Sequence, residues 1–215
     1  MNIYGRYSSK KNMTTSAYIN KIYIFVFVTL LFTLPLRATE SPNPNLKADF
    51  IMTRKVAVLK ESLTSKGRLM LGGKGRLRWE TTSPNKSTLI VNGANGWLHY
   101  PDLSVTKAFD MASDPVMRLM SEQLCALTGG DLTALSSLYE IRAGRDGEKL
   151  LVPKDPNIRK LFRTLHVIMP KTGVVSEVTL VSANGDTTTI EFSNTVQNAT
   201  LDPRLFMAPS KGATH

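Results

Sequence analysis

Three histidines, one cysteine and 17 acidic residues are the groups in this chain able to carry acid–base, nucleophilic or metal chemistry. His99, His166 and His215 stand at no metal-ligand or triad spacing from one another. No Gly-x-Ser-x-Gly elbow, His-Glu-x-x-His helix or Cys-x-x-Cys pair occurs. Gly72-Gly73-Lys74-Gly75 has the composition of a phosphate loop but lacks its four-residue spacing and closing Ser or Thr. It reads as a hairpin turn, where glycine supplies positive φ angles. Cys125 lies in an apolar stripe of helical spacing and reads as a small buried hydrophobe. Glu80, Glu177 and Glu191 fall singly on strand segments, as a solvated face does. The basic residues lack the interleaved aromatics that stack on bases, which argues against nucleic acid. No catalytic constellation emerges, and no cofactor or metal is expected. The residues point to binding.

The charge distribution supports that reading. The chain has 215 residues, with 27 Lys and Arg against 17 Asp and Glu, a net charge of +10. Residues 1–38 hold five of those bases (Arg6, Lys10, Lys11, Lys21, Arg37) and no acid, leaving 22 against 17 in the remainder. Much of the basicity therefore belongs to the N-terminus. There Ile22 to Leu36 runs without a charge, preceded by lysines and followed by Ala38 and the polar Thr39-Glu40-Ser41-Pro42. A positive flank, a short apolar run and a small residue before a polar exit describe a secretory signal peptide cleaved near Ala38. The run is shorter than the roughly 20 residues of a spanning helix. Met13 offers a second start, closer to the apolar run. No cysteine follows the run to accept a lipid, so the mature chain is expected to be soluble in the periplasm and not lipid-anchored. The expected organisation is 1–38 as signal peptide and 39–215 as a single domain.

Elements that would position a binding surface follow from periodicity. Residues 46–66 are amphipathic and fit either helix or strand. Gly67 to Gly72, Gly75 to Thr81, Thr88 to Asn92, Trp97 to Tyr100 and Leu103 to Phe109 read as a meander of strands. Ser113-Asp114-Pro115 starts a helix that carries Val116, Leu119, Met120, Gln123, Leu124 and Leu127, and Gly129-Gly130 ends it. A second short helix fits Asp131 to Leu138. Strands resume at Tyr139 to Ala143, Lys149 to Pro153, Leu165 to Met169, Val174 to Val181 and Thr187 to Phe192. The expected class is α+β, mainly β. It is a strongly curved antiparallel sheet, or incomplete β-barrel, with helices covering its concave apolar face. That interior fits a close-packed core, or a space between helices and sheet that admits an apolar ligand.

The strand Gly75-Arg-Leu-Arg-Trp-Glu80 and the hairpin Leu89-Ile-Val-Asn-Gly93 to Trp97-Leu-His-Tyr100 resemble the LolA family of periplasmic outer-membrane lipoprotein carriers. Leu151-Val-Pro-Lys154, the run from Val178 to Asn194, and Asn198, Leu201-Asp202, Phe206 and Pro209 extend the resemblance. It implies a non-enzymatic monomeric chaperone that shields acylated lipoproteins in a hydrophobic cavity. Its implied partners are an inner-membrane ATP-driven transporter as donor and an outer-membrane acceptor. By that resemblance Leu77 and Trp79 face the cavity and its mouth. Alternation adds Leu69, Leu71, Leu89 and Val91 to the same wall. Helical spacing adds Val116, Leu119, Met120 and Leu124 as the cover.

One departure stands out. Where the family carries an Arg-Pro pair whose arginine helps hold the lid, this chain reads Gly73-Lys74. Lys74 and Arg76 are the available substitutes. Together with Thr53-Arg54-Lys55 and Leu127-Thr128-Gly129-Gly130-Asp131, the departure also fits a LolA-like branch. Such a branch would carry or sense another periplasmic lipid or polyene conjugate.

Overall fold

The computed structural model describes residues 45–57, 61–73, 75–130, 132–170 and 173–209. Within these, the side chains of residues 115–117, 119, 120, 128 and 129 are outside the description. The expected signal peptide, Met13, Lys74 and Asp131 all lie outside the described residues.

Eleven strands form one curved antiparallel sheet that does not close. They are β1 (Leu46–Lys55), β2 (Leu63–Gly72), β3 (Arg76–Ser83), β4 (Ser87–Asn92), β5 (Asn95–Tyr100) and β6 (Val105–Asp110). After the long helix Pro115–Gly129 and a 3-10 turn at Leu132–Leu135 come β7 (Tyr139–Ala143) and β8 (Glu148–Pro153). A helical turn at Pro156–Arg159 leads to β9 (Phe162–Ile168), β10 (Glu177–Ser182) and β11 (Thr187–Gln197). The order across the sheet is β6-β5-β4-β3-β2-β1-β11-β10-β9-β8-β7. The two free edges, β6 and β7, flank the long helix in the chain, so the helix bridges the sheet's two ends. Among the described residues no helix is long and apolar enough to cross a membrane.

The 46–66 segment, open to two readings in sequence, is extended: Leu46, Ala48 and Phe50 of β1 are buried and alternate with Lys47, Asp49 and Ile51. β10 starts three residues later than Val174, the periodicity's estimate, and β11 continues to Gln197, past Phe192. The longer β11 follows from pairing: β1 lies beside it as far as Leu46 opposite Gln197, so polar Ser193, Asn194 and Gln197 are carried into the strand. The expected second helix is no more than the 3-10 turn, with Leu132 and Leu135 buried.

Two glycines are fixed by close approach. A Cβ at Gly67 would meet the Glu80 carbonyl and the Phe50 ring, and one at Gly96 would run into the Phe109 ring. Each gap is therefore filled by a neighbour's aromatic ring.

Part of the face opposite the apolar one is covered by the 3-10 turn at Pro203–Phe206. Met70, Ile90 and Phe206 are buried together, with Trp97, Leu201 and Leu205 packed around them. Arg78 donates to the Leu205 carbonyl at 3.2 Å, and the Arg76 guanidinium lies 5.2 Å from the centre of the Phe206 ring.

At one end of the sheet, Asp186 is buried in the β10–β11 turn. It accepts from Arg54 at 3.1 Å and from the Ala57 backbone N–H at 2.9 Å. Burial opposes its charge, but the bonds from Ala57 and Arg54 outweigh this and hold its carboxyl below the usual aspartate value. A lowered native value stabilises the fold above the unfolded pKa, near pH 4, and is lost as pH falls through the native value. Asp186→Asn is expected to cost about 2 kcal/mol at pH 7 in urea unfolding, by uncoupling β1 from that turn. Repeating the titration below about pH 4 should show the gap between variant and parent closing.

Candidate functional site

Cross-strand register places the six expected strand residues on one face. Leu71 lies opposite Leu77, and Leu77 opposite Val91. One step along, Leu69 lies opposite Trp79, and Trp79 opposite Leu89. The rows extend sideways to Leu46 and Ala48 of β1 and to Leu98 of β5. Antiparallel neighbours directly opposite one another sit about 5 Å apart, so each row is a continuous apolar ridge. Following the register through β1, β11, β10 and β9, the same face continues to Ile190, Val178, Leu165, Leu151 and Ile141. Tyr139, two residues before Ile141 on β7, shares it.

The two ridges differ in cover. Leu69, Leu71, Leu77 and Val91 are at most 2% exposed, so little or no water-sized space adjoins them. Trp79 and Leu89 are half-buried. The wall is therefore packed along one ridge and incompletely covered at two positions of the other. Phe50 supports Trp79 from β1, with ring centres 4.1 Å apart and planes 29° apart. Stacked aromatic pairs add roughly 0.5–1.5 kcal/mol beyond area burial.

The long helix supplies the opposite side. Ser121, Gln123, Cys125, Ala126 and Leu127 are buried, while Leu124 is half-buried. Val116, Leu119 and Met120 lie on this helix, but their side chains are outside the description. Leu132, Leu135 and Leu138 in the following turn are buried as well. Helix and sheet meet where the Tyr139 hydroxyl donates to Gln123 Oε1 at 3.0 Å. Tyr139 and Phe162, with ring centres 6.3 Å apart, extend the wall beyond the expected residues. Alternation along Tyr139 to Ala143 contained that signal. Gln123 fell on the helical spacing, but as a polar side chain in an apolar stripe it gave no sign of its partner.

The groups with chemical potential do not converge. Burial, with Glu122 nearby, pushes the Cys125 thiol up to about 12, so it is no ready nucleophile. His166 Nδ1 lies 2.6 Å from Glu148 Oε1 and its Nε2 lies 3.2 Å from Thr164, on the sheet's other face. That histidine holds the Glu148 carboxyl below its usual value. His99 Nδ1 is 2.8 Å from Thr106 Oγ1. His215 is outside the described residues. Glu80 is half-buried and paired with Arg68 and Arg78, rather than standing free in solvent. Among the described residues no three His, Cys, Asp or Glu are grouped to hold a metal ion.

The lid position is changed too. Gly73 donates its N–H to Asn45 Oδ1 at 2.9 Å and accepts from Arg76 Nε at 3.0 Å. Arg76 is thereby turned toward Phe206 on the opposite face. Of the two residues available at that position, Arg76 is engaged there, and Lys74 is outside the described residues.

Comparison with known proteins matches the family model "Outer membrane lipoprotein carrier protein LolA" over residues 44–209. An outer-membrane lipoprotein carrier protein of Chromobacterium violaceum is 30% identical over 82% of this chain and 83% of its own length. One from Pseudomonas paraeruginosa is 29% identical over 65% of each chain, so the match spans just under two thirds of that relative. A crystal structure of a LolA superfamily protein from Nitrosomonas europaea aligns with a TM-score of 0.42 and 10% identity. It covers 80% of this chain and 93% of that one.

The packing contrast is measurable. Leu77→Glu would bury an unpaired carboxylate and is expected to cost at least 4 kcal/mol, abolishing the cooperative thermal transition. Leu89→Glu, at a half-buried position, should keep a transition within about 1.5 kcal/mol of the parent. Equal behaviour of the two variants would contradict the ridge assignment.

Proposed function

The chain belongs to the LolA family of outer membrane lipoprotein carrier proteins, and from that premise we propose that it is a periplasmic carrier of acylated lipoproteins. The observation that carries this reading is the continuous apolar face of an unclosed sheet, incompletely covered at Trp79 and Leu89. In the proposed cycle the long helix and the turn after it move away from the sheet. Acyl chains then lie between Leu69, Leu71, Leu77, Trp79, Leu89 and Val91 on one side and Val116, Leu119, Met120 and Leu124 on the other. The residues act by binding and not by making or breaking bonds. Residues 1–38 serve as a cleaved leader and residues 39–215 as the carrier domain. An inner-membrane transporter loads the carrier and an outer-membrane acceptor unloads it.

The physical need is large. Each CH₂ moved into water costs about 0.8 kcal/mol, so a sixteen-carbon chain left exposed costs roughly 10 kcal/mol or more. Such cargo does not cross an aqueous space unaided.

The reading is tested by adding the purified mature protein to spheroplasts that retain lipoproteins in the inner membrane. A soluble one-to-one complex of carrier and lipoprotein is expected, with Trp79 fluorescence altered on loading. If lipoproteins stay in the membrane while the protein takes up free fatty acids or polyenes, the cargo is another lipid conjugate. If nothing binds, the carrier reading fails.

A further inference from the structure

Among the described residues, one side-chain polar atom is buried without a hydrogen-bond partner, Nε2 of Gln123. Gln123 is 3% exposed, in the half of the long helix that faces the apolar wall. Its Oε1 is already engaged by the Tyr139 hydroxyl at 3.0 Å. Tyr139 is 1% exposed, and burial raises its pKa, so the phenol stays protonated and donates. The opposite amide orientation would leave both the amide oxygen and the phenolic hydrogen unmatched, so the pair favours the arrangement seen. An unmade hydrogen bond at such a depth costs about 1–3 kcal/mol. The residue is thus a liability in the unloaded protein.

We propose that Gln123, oriented by Tyr139, binds the carbonyl oxygen of the ester or amide that joins an acyl chain to its cargo. This deepens the carrier reading and rests on it. The complementarity is one of sign. The orphan is an N–H donor, and an acyl ester brings acceptor oxygens and no donor. A plain hydrocarbon offers it nothing, and a free carboxylate would have to shed its charge or its water. The location fits as well. Tyr139 shares the face of Leu151 and Leu165, so a chain lying along that wall would bring its linkage past the helix at this point. Tyr139 is a positioning residue. It fixes which end of the amide is presented.

The test uses displacement of a bound fluorescent fatty acid from the purified mature protein by methyl palmitate or by n-heptadecane. The parent is expected to take the ester about five- to tenfold more tightly than the alkane, as one neutral hydrogen bond allows. Gln123→Met combined with Tyr139→Phe should abolish that preference, and Tyr139→Phe alone should reduce it. In the parent complex, the infrared stretch of a ¹³C-labelled ester carbonyl should move to lower frequency than in hydrocarbon solvent. This measurement needs no variant to fold. Equal affinity for ester and alkane, an unmoved carbonyl stretch, or a preference that survives the double variant overturns the carbonyl site and leaves the carrier reading standing. Failure of the fluorescent probe, ester and alkane alike to bind the parent overturns both.

Discussion

Side chains leave a β-strand on alternate faces, so a sheet of eleven strands presents two large faces, of which the apolar one must be kept from water. Closing into a barrel would hide one of them, yet here β6 and β7 remain unpaired to each other and the sheet stays open. The burden of covering the apolar face therefore falls on the chain between those edges. That segment supplies one long helix and a leucine-bearing turn.

The two faces meet it differently. On the face bearing Met70 and Ile90, the C-terminal turn is fastened by specific polar contacts, with Arg78 on a backbone carbonyl and Arg76 beside the Phe206 ring. Such contacts are directional and fix one arrangement. On the other face, the Tyr139–Gln123 hydrogen bond ties the long helix to the sheet, and most of the buried residues around it are apolar. Apolar contacts have no preferred direction, so a covering element held by them can slide or lift without breaking a bonded network. In the proposed cycle this asymmetry makes the Phe206 side the fixed one and the helix side the one that adapts.

Much of this was legible in residue spacing. Leu77 and Trp79 alternating with Arg76, Arg78 and Glu80 fixed the facing of β3, and the register then carried Leu69, Leu71, Leu89 and Val91 with it. Other features were not. Residues 46–66 mix apolar and polar positions in a way that suits two periods, and their pairing with β11, some 140 residues away, decides the matter. The contact between Arg76 and Phe206 was not legible either, because it joins residues 130 positions apart in the chain. Gln123 had no apolar signal at all, and its significance depends on Tyr139, which the chain brings to it only through the turn at Leu132–Leu135.

Packing of the wall also bears on how a guest could be released. A wall standing in water would add its own burial to that of an incoming chain. A wall whose Leu69 and Leu77 are fully covered beforehand contributes nothing further, because its apolar area is hidden both before and after loading. The guest's own desolvation, roughly 10 kcal/mol for a sixteen-carbon chain, is then the ceiling. The loss of freedom on association and the lifting of the helix are subtracted from it. A self-covered wall thereby lowers affinity without losing shelter, and a binding site that must give up its cargo needs that combination. The hydrogen bond offered by Gln123 restores about 1 kcal/mol of it for the acyl linkage alone, enough to favour such a guest and too little to trap it.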